Sequence, residues 1–331
     1  MKPLVSVLIP VYGVESYIEE CAISVFNQSY ENLEIIFVND CTKDSSMIVL
    51  ENVLKRFPII SNKVKIINHG ENLGLAGARL TALKAATGDY VIQFDSDDYV
   101  EHNMLELLVE KAIEDDADIV ICDMDHVYET YSVPVHVNPS LNNIELITKL
   151  FTGEVHSSLC NKLIRRKLYT DNNINPTIGL NMCEDFSVMY KLVYYSKRIS
   201  YLPQILYHYR QNVAGSFTAQ KMPLKHQLNR IQLLDQISDF LNEDKSTKVE
   251  LLDSFRFLVA SNKGEMMLYG DLNRLELFDR NNMNYSLTDV IAHPNLHKNF
   301  KIILFFDKLG FSVLVRLMRY LQQKKHKELW S

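Results

Sequence analysis

Asp95, Ser96, Asp97 and Asp98 follow directly on an apolar run, Tyr90 to Phe94. Carboxylates crowded at the end of a buried strand repel one another unless a cation neutralises them. Mg2+ or Mn2+ does so with oxygen ligands, keeps coordination positions open and bridges substrate phosphates. The spacing therefore points to a metal-held phosphate. The competing reading is that Ser96 to Asp98 only cap a helix beginning at Glu101, and the apolar Tyr99 and Val100 in between weigh against it.

A second acidic pair, Glu184 and Asp185, opens a helical segment, where the macrodipole favours negative charge. An ionised carboxylate there serves as a general base if an acceptor hydroxyl comes within about 3 Å. Asp40, just past the apolar run Leu33 to Val38, can accept hydrogen bonds from a nucleobase imide or a ribose, and Tyr12, after Pro10 and Val11, can face the base. Neither GxGxxG nor GxxxxGK(S/T) occurs at these junctions, so a diphosphate needs another partner. Arg210 can clamp phosphate oxygens, and a neutral His208 can ligate a metal. Both lie just before the hydroxyl-bearing stretch Gly215 to Thr218.

The elements that must position these residues alternate. Strand-like runs at Leu4 to Ile9, Leu33 to Val38, Val64 to Ile67, Tyr90 to Phe94 and Asp118 to Cys122 are separated by amphipathic segments at Glu15 to Gln28, Asp44 to Phe57, Leu75 to Ala86 and Glu101 to Asp115. This is the pattern of a mostly parallel sheet with flanking helices, in which ligands bind outside the carboxyl ends of the strands. The reading continues with a helix over Ile144 to Phe151, a polar segment, a helix over Glu184 to Tyr195 and two short strands, Ile199 to Leu202 and Ile205 to Arg210. Beyond residue 220 only helical periodicity remains, over Leu224 to Asn242, Lys248 to Tyr269 and Lys298 to Leu329. The chain thus divides into 1–220 and 221–331.

The 331 residues carry a net charge of −6, which argues against a nucleic-acid partner. Five scattered cysteines form no CxxC pair and suit a reducing, cytoplasmic setting. Residues 301–331 are the exception to the acidic balance, with seven Lys and Arg against two acids. Leu314, Leu317, Met318 and Leu321 share one helical face there, Arg316, Arg319 and Gln323 another, and Phe305, Phe306 and Phe311 lie upstream. Such a tail either lies on the anionic inner face of a membrane or packs on the chain itself or a second subunit. Oligomeric state is not readable.

The stretches VSVLIPVYGVESYIEECAISVFNQSYENLEIIFVND, ENLGLAGARLTALKAATGDYVIQFDSDD, CNKLIRRKLY, GLNMCED and YHYRQNVAGSFT, in this order and spacing, resemble the family 2 glycosyltransferases, which are inverting enzymes of the GT-A fold. The resemblance runs from Val5 to about Thr218. The chain departs from the family pattern at Gly13, where an Asn is usual, and at Asn39 to Asp44, where DDGSTD is usual; the second Asp is kept. The resemblance implies a Rossmann-like, nucleotide-sugar-binding catalytic domain and a metal-dependent transfer from a nucleoside diphosphate sugar, UDP-linked, to a glycan or lipid-linked acceptor. By it Asp40 contacts the nucleobase, Asp95 the ribose or metal, and Asp97 the metal and diphosphate, while Asp185 is the catalytic base and Pro10, Tyr12, Ser96, Glu184 and Arg210 complete the donor site. Two rivals are a catalytically silent carbohydrate-binding or scaffolding protein on the same fold and a sugar-phosphate nucleotidyltransferase. The latter would need a glycine-rich, basic loop that PVYGVES does not supply.

Overall fold

Val5–Val11 (β1) is buried at every position, as a parallel strand covered on both faces must be. It lies between Leu33–Asn39 (β2) and Tyr90–Gln93 (β4), and Val64–Asn68 (β3) pairs with β2, all in parallel. The chain runs outward from β1 through helices Ile18–Phe26 (α1) and Ser46–Arg56 (α2), then returns by Gly74–Ala85 (α3) to place β4 on the other side of β1. That reversal of strand order beside β1 opens a crevice at the carboxyl ends. These coordinates are a computed structural model that describes residues 2–211, 224–243, 248–269, 286, 288 and 296–328.

Past β4 the sheet changes character. Its order continues through Lys162–Arg165 (β8), Ile119–Val127 (β6), Ile199–Arg210 (β9) and Tyr99–Val100 (β5), with Ser132–Val135 (β7) on β6. β8 is antiparallel to both β4 and β6, whereas β9 is parallel to β6. Helices Met104–Glu114 (α4), Lys167–Asp171 (α6) and Glu184–Tyr195 (α7) complete this part, and Asn143–Thr152 (α5) begins in it.

Several elements differ from the sequence expectation. β5, β7 and β8 were not anticipated, and β9 is one strand rather than two. Its register against β6 shifts across Cys122 and Asp123, opposite the stretch holding Pro203, so an irregularity absorbs the proline without ending the strand.

By internal contacts the chain divides into two compact units, Met1–Leu146 with Val155–Gln220, and Ile147–Glu154 with Lys221–Ser331. The second contains Leu224–Glu243 (α8), Leu252–Tyr269 (α9), Lys298–Lys308 (α10) and Ser312–Glu328 (α11). α9 and α10 approach closely at Gly264, where a Cβ would stand 2.8 Å from that of Phe300. The tail expected as a single helix is two: Gly310, at φ +76°, turns the chain between α10 and α11. Among the described residues no helix is long and apolar enough to cross a membrane.

Candidate active site

The opening of the site begins with a proline. Leu8 accepts a hydrogen bond from Phe94 N at 2.9 Å, so its polar backbone groups face β4, and Pro10, two residues on, turns the same way. β1 and β4 pair only as far as Leu8 and Gln93. Pro10 therefore presents no N–H toward the gap where β4 departs, and a central strand tolerates it there. Tyr12, immediately past β1, is 54% exposed. The loop after it is tied to the loop after β2: Gly13 N donates to Thr42 Oγ1, Val14 N to Ser46 Oγ and Glu15 N to Asp44 Oδ2.

Asp40, at the end of β2, is buried, and its carboxylate is occupied by the protein. Oδ1 accepts from Leu73 N at 2.8 Å and faces His69 Nδ1 at 2.7 Å; Oδ2 accepts from Gly74 N at 2.8 Å. These are amides at the start of α3, so Asp40 anchors that helix. Gly74 makes the anchor possible, since its φ is +77° and a Cβ would meet the Asn181 side chain at 2.3 Å.

α3 delivers the residue on which the site converges. Arg79 is 2% exposed. Its Nη2 donates to Asp95 Oδ1 at 2.7 Å, and its Nη1 to Glu184 Oε1 at 2.9 Å and to Asp185 Oδ1. Asp185 Oδ2 also accepts from Leu159 N at 3.3 Å. Acids from the end of β4 and the start of α7 thus share one guanidinium. Burial pushes the Glu184 carboxyl up, and Arg79 offsets this in part. Arg79 was not among the residues expected to act. Its signal was present: it shares a helical face with Ala76, Ala82 and Leu83, and a charge in an apolar stripe is buried only with partners.

The rest of the acidic loop divides by role. Asp98 is buried and takes Tyr207 Oη on Oδ2 at 2.6 Å and Arg210 N on Oδ1 at 2.8 Å, holding β9 to the loop. Ser96 is buried in the turn. Asp97 is pushed up to about 6, first by burial and then by the neighbouring Asp95 charge, with a backbone amide hydrogen bond, Arg210 and Arg79 pulling it partly back. His208 does not join this cluster: Nδ1 faces Asp125 at 2.8 Å, Nε2 faces Glu101 at 3.0 Å, and the ring stacks on Tyr99. With a carboxylate on each nitrogen, its expected role as a metal ligand is not what the geometry supplies. The Arg210 guanidinium pairs with Glu20 and lies over the Tyr99 ring at 4.8 Å. Gly215 to Thr218 lie outside the described residues, as does the Gln323 side chain.

The donor set suits a hard cation. Asp95 and Asp97 offer only oxygen, and burial first and the Asp95 charge second make an ionised Asp97 costly, which a bound cation would relieve. Among the described residues no group of three or more His, Cys, Asp or Glu could hold an ion by itself. Oxygens from elsewhere, such as phosphate, would have to complete its coordination.

Comparison with known proteins agrees with this geometry. Residues 6–171 match the model of glycosyl transferase family 2. EpsH of Bacillus subtilis (strain 168) is 31% identical over 268 residues, 78% of this chain and 76% of EpsH. The chain belongs to glycosyltransferase family 2. Its fold is that of GT-A-type glycosyltransferases: S. aureus TarS 1–349, solved in complex with UDP-GlcNAc, superposes with a TM-score of 0.70 at 18% identity, over 99% of this chain and 92% of that one. The mannosyltransferase PcManGT from Pyrobaculum calidifontis, solved with GDP-Man and Mn2+, gives 0.55 at 17% identity, over 98% of this chain and 85% of that one. The family match covers the β1, β2 and β4 ends and Arg79 but stops before Glu184 and Asp185, which the fold brings to the same guanidinium.

Proposed function

We propose that this family 2 glycosyltransferase moves a hexosyl or N-acetylhexosaminyl group from a UDP-sugar to a hydroxyl of a glycan or lipid-linked acceptor, with inversion at the anomeric carbon. The observation that carries the reading is the meeting of Asp95 and Asp185 on Arg79 at the carboxyl edge of the sheet. The UDP and UDP-GlcNAc complexes of TarS support the choice of donor. The Mn2+ complex of PcManGT supports a divalent metal.

Asp97 and Asp95 would hold Mn2+ or Mg2+, which when bound neutralises charge on a leaving diphosphate. The chain's own residues do the rest. Asp185, fixed by Arg79 and the Leu159 amide, takes the proton of the acceptor hydroxyl. The freed oxygen attacks the anomeric carbon from the face opposite the diphosphate, so an α-linked donor gives a β-linked product. Tyr12, exposed at the end of β1, faces the base, and the single acceptor site left on Asp40 Oδ2 serves the nucleobase or ribose. Residues 1–220 form the catalytic domain and 221–331 a helical region, working at the cytoplasmic face of the membrane in cell-surface polysaccharide synthesis.

The test is a thermal-shift series of nucleoside diphosphate sugars with Mn2+ or with chelator, followed by NMR of the product's anomeric proton. A ligand at about a hundred times its Kd adds about 2.7 kcal/mol of stability. A shift with UDP-sugars that needs Mn2+, together with an inverted product, is expected. Asp185→Asn should keep the shift and lose at least about a hundredfold in transfer. Shifts with no donor would end the reading. Donor binding without turnover, with any acceptor tried, would favour a silent carbohydrate-binding protein.

A further inference from the structure

α11 has an apolar face turned away from its own unit. The helix packs on α9 and α10, and Val315 is its buried apolar side chain among those described. Arg319 on the same side reaches Met267 O at 3.4 Å. Val313, Leu317 and Tyr320 point the other way, at 76%, 51% and 64% exposed, with Leu314 and Leu321 beside them. At 3.6 residues per turn these five fall within an arc of about 120°. Leu309 and Phe311, exposed in the turn before the helix, extend the patch. Met318, expected in this stripe, is half-buried instead, and Val313 and Tyr320 take its place.

The charge of this stretch of sequence identifies what would cover the patch. Residues 301–331 hold a surplus of five positive charges, so the remainder of the chain carries −11. Arg316 is exposed at the border of the apolar arc. A second copy docking face to face would bring two basic helices together, and like charges oppose that. A single convex helix with large apolar side chains and a basic border suits a flat, negatively charged surface. We propose that the face running from Leu309 to Leu321 docks on an anionic lipid surface, with Val313, Leu317 and Tyr320 entering the headgroup boundary. The proposal does not depend on the transferase reading, and its test needs no substrate.

Full-length chain is floated with phosphatidylcholine vesicles, plain or with about one third phosphatidylglycerol, at low salt and at about 1 M salt, where the Debye length has shrunk to about 3 Å. Flotation with the anionic vesicles alone, weakened several-fold by salt, is expected. The double variant Val313→Glu with Leu317→Glu should lower partitioning about tenfold or more. Arg316→Glu should weaken it less. All three side chains are exposed, so thermal unfolding of these variants should match wild type. Three outcomes overturn the proposal: no flotation with anionic vesicles at low salt, equal flotation with both vesicle types, or a concentration-dependent dimer that the double variant abolishes while lipid binding is absent.

Discussion

Two acidic loops flank β1, one after β2 and one after β4, and they treat their carboxylates in opposite ways. Asp40 is enclosed by donors: two backbone amides and an imidazole meet its oxygens within 2.8 Å. Asp97, on the other side of β1, is displaced upward by burial and by Asp95. A carboxylate held by amides anchors the scaffold and keeps at most one lone pair for a ligand. One that is buried beside another acid, and so is costly to ionise, is suited to a cation from outside. The two loops are joined by α3, which Asp40 anchors at one end and which carries Arg79 to the acids of the other loop. The contrast separates what builds the site from what the site holds.

Removing the joint should have the largest effect. Arg79→Met leaves Asp95, Glu184 and Asp185 without their common cation, and breaking a buried pair from one side costs about 3–5 kcal/mol. Denaturant unfolding should show that loss, together with loss of transfer. Arg79→Lys keeps the charge but lacks the planar fork that serves three acids, so it should restore part of the stability and little of the activity. Stability equal to wild type in Arg79→Met would mean the three acids are held by something other than this guanidinium.

The anchor should come next. Asp40→Asn retains one acceptor oxygen and turns the other position into a donor facing a backbone N–H, so unfolding free energy should fall by about 1–3 kcal/mol. Gly74→Ala tests the same anchor from the opposite side and should cost about 1–2 kcal/mol in strain alone, more if the Asn181 amide cannot move aside. Gly13→Ala is its control: the φ is similar, +70°, but nothing lies within 4 Å of a Cβ there. Equal losses at the two glycines would show that the Asn181 contact carries no cost.

How much of this was legible beforehand follows from where the signal resides. β1, β2 and β4 announce themselves as short apolar runs because both faces are covered or nearly so, the half-exposed edge strand β3 shows only a shorter one, and Glu184–Tyr195 shows its helix by period and by acids in the first turn. β8 was hidden because Lys162 lies within it, a buried ammonium held by Ser158 O and Asn161 Oδ1 that reads as a surface residue. β5 has two residues, too few for any period. The employment of Asp40 was unreadable for another reason: its donors are backbone amides 33 and 34 residues away, which carry no mark in residue type. Asp95 and Asp185 could each be picked out by local chemistry, but that they meet was not written in either segment. Arg79 was the one side chain whose type and helical position carried that information.

The remaining expected change in stability is the one of opposite sign. Asp97 titrates near 6 in the folded chain against an ordinary value of 3.8, so between these values the folded state holds more proton than the unfolded state. Stability of the metal-free chain therefore falls as pH rises from about 4 through about 6, and the penalty is fully present above that window. Asp97→Asn removes this part of the penalty. In chelator its melting temperature should equal that of wild type near pH 4, rise above it through pH 6 and stay a few degrees higher at pH 7.5. Mn2+ should then stabilise wild type at pH 7.5 and leave the variant unmoved, because an amide is a poorer ligand for a hard cation and brings no charge. If Asp97→Asn instead destabilises the chain in chelator, as Asp40→Asn is expected to do, then the amide and guanidinium groups acting on Asp97 outweigh its burial and the two loops do not differ in kind.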